Sequence, residues 1–289
     1  MMGTTRLFCV LSALTCSAQA AAPQRWAPPH IASALFESSP AFTPDGREIY
    51  FMRSSAQFRE WRILHSRCGR EGWSEPQPAP FAAAAPAQDA DPFVSFDGKR
   101  AYFVSTRQNR DGSDQLDIWR ASRGTDGSWG EPQRLPEPVN SAASELLPRE
   151  TADGRLYFGS DRDGGHGQGD IYIATPQPDG SWQVANAGPP LSTPANEYEA
   201  DISRDGLSLV VVADRGTRSH LYRYALQQGR WNALGQIAAD DSVFQVGPLH
   251  SPNGDRLLFA QRDSAYSGEL FLTDLSRQPD TRWPPRCGD

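Results

Sequence analysis

Residues 148–182 read PRETADGRLYFGSDRDGGHGQGDIYIATPQPDGSW. Glycine and aspartate crowd the middle of this stretch, next to one apolar triplet, Ile171-Tyr172-Ile173. Such a composition fits a phosphate cradle, a calcium loop or a turn in an all-β protein. A phosphate-binding glycine motif must open a helix, whose first N–H groups hold the anion. Here a β-branched and aromatic run follows instead, and no G-K-[ST] occurs. The calcium nonapeptide needs G-G-x-G-x-D in tandem copies. Residues 164–170, GGHGQGD, are one residue too long for it and occur once. The stretch is therefore read as one strand ending at LYFGS and another beginning at DIYIA, joined by a glycine turn. A cation or a partner contact on that loop stays open as an alternative.

The same pattern recurs along the chain. PAFTPDGREIYF, PFVSFDGKRAYF, PRETADGRLYF, ADISRDGLSLVVV and PLHSPNGDRLLF place their turn glycines at Gly46, Gly98, Gly154, Gly206 and Gly254. A second series, Trp73, Trp129, Trp182, Trp231 and Trp283, keeps the same period. Between the two lie apolar triplets, as in RILH, DIWR, DIYI, HLYR and ELFL. Each unit of about 50 residues thus holds four short β runs separated by turn chemistry, the mark of one β-propeller blade. A solenoid would need capping units, and none is read. The expectation is an all-β, five-bladed propeller of four-stranded antiparallel blades. The blades span about 31–80, 81–140, 141–194, 195–242 and 243–289, with residues 21–30 as a leader.

These residues resemble a known family. P-x-x-S/T-x-D-G-x-x-x-Y-F and S-D-R-x-G-G-x-G-x-x-D-I-Y are similar to the TolB-like (WD-like) β-propeller repeat of bacterial envelope proteins. The second run is also similar to the propeller of OmpA-type envelope proteins. The resemblance covers residues 31–285 and is most specific in blade three. It implies an envelope protein built on a binding propeller. TolB's extra α/β domain and the OmpA-type peptidoglycan-binding domain are not read in this sequence, so neither a Tol–Pal role nor peptidoglycan anchoring is expected.

The N-terminus has the form of a secretory signal peptide: one positive charge, the apolar run LFCVLSAL, and a small-x-small site at Ala18-Gln19-Ala20. Cleavage after Ala20 would send the mature chain to the periplasm or beyond, whereas a lipid anchor on Cys16 is less favoured after Thr15. Losing Arg6 leaves 27 basic against 35 acidic residues. An acidic chain without a basic block is a poor nucleic-acid binder, and no later segment reads as a membrane span. Cys9 and Cys16 leave with the signal, so Cys68 and Cys287 remain as a possible disulfide between the first and last blades. A monomer is expected.

Repeats provide an internal control, since a residue type found in every blade reads as scaffold. Eight residues before each turn aspartate or asparagine stand Glu37, Asp89, Glu145, Glu197 and Gln245. After the second strand stand Arg107, Arg162, Arg215 and Arg262, with Arg53 near them in blade one. Charge-assisted pairing within blades is the first reading; an acidic ring holding a cation such as calcium is the second. The tryptophans read as apolar wedges between blades.

Function is expected where one blade departs from the others. Arg149, Glu150, Asp201 and His250 stand where other blades carry apolar residues, and Asp91 and Glu199 add carboxylates to the same inner strands. Asp91, Glu150 and Asp201 could serve a carbohydrate-active hydrolase or lyase, which needs two carboxylates a fixed distance apart. The other reading pairs Arg149 with Asp201, and Glu150 with an arginine, leaving no chemistry. His30, His65, His166, His220 and His250 show no zinc-hydrolase spacing, and no G-x-S-x-G occurs. The expectation is a non-catalytic binding or scaffold module without cofactor or resident metal. It would receive an envelope protein or a small polar or cationic ligand in a funnel on the face of the longer loops, 107–117 and 162–170.

Overall fold

The computed structural model describes residues 22–108, 113–216, 218–240, 242–262 and 268–288. The segment read as a signal peptide, with Cys9 and Cys16, and part of the 107–117 loop lie outside the described residues. Five small antiparallel sheets stand in sequence order, with no helix among the described residues. Their inner strands are Phe36–Phe42, Asp89–Val94, Glu145–Glu150, Asn196–Ile202 and Phe244–His250. Their second strands are Glu48–Ser54, Arg100–Ser105, Leu156–Ser160, Ser208–Asp214 and Arg256–Arg262. The third strands are Arg62–Gly69, Asp117–Ser122, Asp170–Pro176, Ser219–Gln227 and Glu269–Asp274.

The hairpin between inner and second strands accounts for the repeated S/T-x-D-G. In blades one, two and four, Thr43, Ser95 and Ser203 each donate a hydroxyl hydrogen bond of 2.6 Å to the turn aspartate, Asp45, Asp97 or Asp205. That carboxylate then accepts the N–H two residues on, the local bond that fixes an Asx turn. Gly46 has φ of 69°, which suits a residue without Cβ. The second strands are apolar on both faces, as in Ile49–Met52 and Leu209–Ala213, because each blade is covered by a neighbour.

The glycine loop of blade three is a hairpin turn. Asp170 closes it, accepting the N–H of His166 at 2.7 Å and of Gly167 at 3.3 Å. A Cβ on Gly167 would lie 1.9 Å from the carbonyl oxygen of Ala195, and one on Gly159 would lie 1.8 Å from that of Tyr198. Glycine is needed at 167 because the loop lies against the link to blade four, and at 159 because the second strand lies against the inner strand of blade four.

Ring closure departs from the sequence expectation in one respect. The outermost strand of blade five is Gln24–Arg25, which pairs with Leu272 and Phe271. The segment read as a leader is therefore part of the propeller, and Arg25 forms an ion pair with the buried Glu269. Trp283 and Cys287 lie outside the strands, in a C-terminal segment that turns back onto blade one. Cys68 and Cys287 form the expected disulfide, with Cα atoms 5.3 Å apart. The ring is thus fastened twice, by a strand from the N-terminal side and by a covalent bond from the C-terminal side.

Candidate functional site

Four blades carry the same ion pair at the start of the inner strand. Glu37 meets Arg53 at 2.7 Å, Asp89 meets Arg107 at 3.1 Å, Glu145 meets Arg162 at 2.9 Å and Glu197 meets Arg215 at 3.2 Å. The carboxylates are fully covered, and each also closes the link that leads into its blade. Ser33, Ser141 and Thr193, four residues earlier, donate hydroxyl and backbone N–H bonds to Glu37, Glu145 and Glu197. Burial pushes the carboxyl groups of Glu37 and Glu145 up, against the pull of these donors and their arginines. In blade five Gln245 bonds to Gln261 at 3.1 Å. Arg262, expected in the ring, lies at the exposed strand end opposite Phe244, because an amide there needs no guanidinium. The serine or threonine four residues upstream was a readable signal that the sequence reading missed.

A second recurring pair also went unread. Asp117 forms a bidentate bond with Arg134 of the outer strand, both contacts 2.7 Å, and Glu269 with Arg25 repeats the arrangement in blade five. His220 holds the corresponding place in blade four, where both ring nitrogens are buried without a hydrogen-bond partner.

The pattern-breaking residues all come to the inner strands, yet each is engaged by a neighbouring blade. Every inner strand carries a register shift near its middle. At that bulge Ser39, Asp91, Leu147 and Gly247 take φ between 45° and 61°. A bulge re-aims side chains and backbone donors. Asp91 thereby accepts the hydroxyl of Ser39 at 2.8 Å and the N–H of Leu147 at 3.1 Å. Glu199 accepts the N–H of Gly247 at 2.8 Å. Both carboxyl groups are buried, which pushes their pKa up, and the charge of Asp91 adds to the rise at Glu199, to about 8.

Two residues nearer the Asp-Gly hairpins along the inner strands, Arg149 Nε bonds to Asp201 Oδ1 at 2.8 Å. Asp201 Oδ2 accepts both the backbone N–H and the Nδ1 of His250, each at 2.7 Å. The Nε2 of His250 lies 3.2 Å from the Ser208 hydroxyl. Glu150 lies 3.1 Å from Arg100 Nε and accepts the Tyr102 hydroxyl at 3.0 Å, so it faces blade two. Asp91, Glu150 and Asp201, the three acids of the hydrolase alternative, thus serve three different inter-blade contacts. Among the described residues, no group of three or more His, Cys, Asp or Glu side chains is placed to hold a metal ion.

No family model and no curated protein matches this chain. Solved structures do. TolB from Acinetobacter baumannii aligns over 84% of this chain and 55% of its own, with 20% identity and a TM-score of 0.51. A putative TolB from Agrobacterium tumefaciens aligns over 84% of this chain and 78% of its own, with 18% identity and a TM-score of 0.54. The fold is TolB-like. Prolyl oligopeptidase B from Galerina marginata matches 84% of this chain with 32% of its own, at 15% identity and a TM-score of 0.50. Similarities this distant speak for the propeller alone, and a fold does not carry an activity with it. The TolB-like chain spans about half the length of the Acinetobacter protein, 55%. No helix among its described residues is long and apolar enough to cross a membrane.

Proposed function

We propose that this TolB-like propeller is an exported, non-catalytic binding module of the cell envelope, which holds a partner on a rigid ring. One observation carries the reading: every charged residue that breaks the repeat is consumed by an adjacent blade. A general acid or base must reach a substrate proton, whereas Asp91, Glu199 and Asp201 are buried and each accepts a backbone N–H from a neighbouring blade, with Asp201 also paired to Arg149. The disulfide fits an oxidising compartment, which supports an envelope location. The carbohydrate-active alternative rests on Asp91, Glu150 and Asp201; the structure adds Glu199, whose raised pKa beside Asp91 would suit a proton donor. Its burial at the bulge counts against that role. Immobilised mature chain incubated with envelope extract is expected to retain a discrete partner that salt-matched, unfolded chain does not. Retention by neither, together with turnover of a glycan, would overturn the reading.

A further inference from the structure

We propose that the outer edge of blade four receives an extended, acidic segment of a partner protein as a fifth strand of its sheet. This rests on the binding-module reading and names a surface for it on the rim of the propeller, away from the channel funnel that the sequence suggested. The blades themselves are the control. The outer strands of blades one, two and five are pieces of two residues beside prolines, Pro78, Pro132 and Pro23. That of blade three, Trp182–Asn186, is followed by Pro189-Pro190. Short edges and prolines are how sheets keep foreign strands off. Blade four instead carries Arg230–Gln236, seven residues long, with no proline between Pro194 and Pro248. Residues 232–236 are all exposed, Leu234 to 53%.

The hairpin fixes which backbone groups are free. Gln227 pairs with Arg230 across a two-residue turn, Gln228-Gly229, with φ of 52° and 74°. In such a turn the closing pair exchanges hydrogen bonds, and bonded and unbonded pairs alternate from there. Arg230 and Asn232 therefore turn their N–H and C=O groups toward the third strand, whereas Trp231 and Ala233 turn theirs outward. The N–H of Leu226, opposite Trp231, bonds to the Leu207 carbonyl at 2.8 Å on the other side, as this alternation requires. A register shift at Leu234 ends the regular stretch. Trp231 and Ala233 are thus the residues whose N–H and C=O groups an added strand would meet.

Charge selects the segment. Residues 216–239 hold Arg218, Arg223 and Arg230 and no aspartate or glutamate, in a chain with 35 acidic against 28 basic residues. Arg223 gives one hydrogen bond, to the Leu275 carbonyl at 3.3 Å, and its Nε is buried without a partner. Burial pushes the pKa of this guanidinium down, and no carboxylate opposes the shift. Arg223 and Gln227 lie four apart on one strand and Arg230 sits opposite Gln227, so both arginines belong to one face of the sheet. The other face carries Trp231 beside Leu226. A strand laid along Trp231 and Ala233 thus meets arginine on one side and apolar surface on the other. Alternating acidic and β-branched residues suit that edge. A second copy would bring another Arg230 to it and no acid.

The test uses three acetylated, amidated peptides, TEVEVET, TQVQVQT and TKVKVKT, titrated into the mature chain by calorimetry at low salt. The acidic peptide is expected to bind tightest, ahead of the basic one by about 5-fold or more, because facing charges attract in one and repel in the other. Ala233→Pro removes an N–H that faces outward and leaves the ladder to the third strand whole. It should weaken every peptide by about 10-fold or more while the melting temperature stays nearly unchanged. Arg230→Glu should reverse the acid–base order, a change that loss of structure alone does not produce. Equal binding of acidic and basic peptides, binding unmoved by Ala233→Pro, or an order unmoved by Arg230→Glu would overturn the proposal. So would a dimer in sedimentation that Ala233→Pro dissolves, since the edge would then belong to a second copy. If no peptide binds while wild type and Ala233→Pro retain the same envelope partner, the site is wrong and the binding-module reading stands. Turnover of a glycan with no partner retained would instead remove the reading beneath it.

Discussion

Replacing Arg149 by methionine should expose how much of the ring depends on the charged layer in its channel. Arg149 and Asp201 are 1% and 2% exposed, so neither charge is relieved by water. Methionine retains the packing against Phe93 but leaves Asp201 with only the bonds from His250. Removing one partner of a buried ion pair typically costs about 3–5 kcal/mol. Asp201→Asn keeps an acceptor for the His250 N–H while removing the charge. Its loss combined with Arg149→Met should therefore be smaller than the sum, with a coupling of about 1–3 kcal/mol. Urea unfolding followed by circular dichroism at pH 7 gives all four corners of the cycle. Additive losses, or a single loss below about 1 kcal/mol, would refute the claim that this pair spans blades three and four as a structural unit.

Further outcomes follow from the same geometry. Reducing the Cys68–Cys287 bond, which joins residues 219 apart, should lower stability by up to about 4–5 kcal/mol. Thiol titration before reduction should find no free cysteine in the mature chain. Glu199 has a folded pKa raised to about 8, so the native state holds its proton more tightly than the unfolded chain. Its contribution is fully present below the ordinary carboxyl range and is lost as pH rises through about 8. Denaturation series in pH should find Glu199→Gln more stable than the wild type at pH 9 and equal to it near pH 4; a constant offset would refute this. Gly167→Ala forces a methyl group onto the Ala195 carbonyl and should lower the melting temperature, whereas Gly164→Asn, at φ 86° with open space around it, should leave it nearly unchanged.

The propeller was legible because its blades repeat both turn chemistry and apolar runs, and each signal is local. The S/T-x-D-G hairpin is one such unit: hydroxyl, carboxylate and left-handed glycine all lie within four residues. The disulfide was legible because setting aside the segment read as a signal peptide leaves only Cys68 and Cys287. The outer strand of blade five was not legible. Gln24–Arg25 is two residues long, carries no β pattern and pairs with residues almost the whole chain away. Arg262 was misplaced because the repeat suggested a guanidinium where Gln245 had already removed the charge to be met. The inner-strand bulges were equally hidden, since Ser39, Asp91 and Leu147 share a backbone conformation but no side-chain chemistry. For that reason Asp91 and Glu199 read as free carboxylates in a channel, when the bulges supply each with a backbone donor.

The central claim is that these carboxylates hold blades together and perform no chemistry. A glycan and muropeptide hydrolysis screen tests it most directly, run on the mature wild type beside Asp91→Asn, Glu150→Gln and Asp201→Asn. The account predicts no product above the protein-free blank for the wild type, and lowered melting temperatures as the only effect of the three substitutions. Turnover by the wild type that disappears in any one of them, with the circular dichroism spectrum of the fold unchanged, would contradict it.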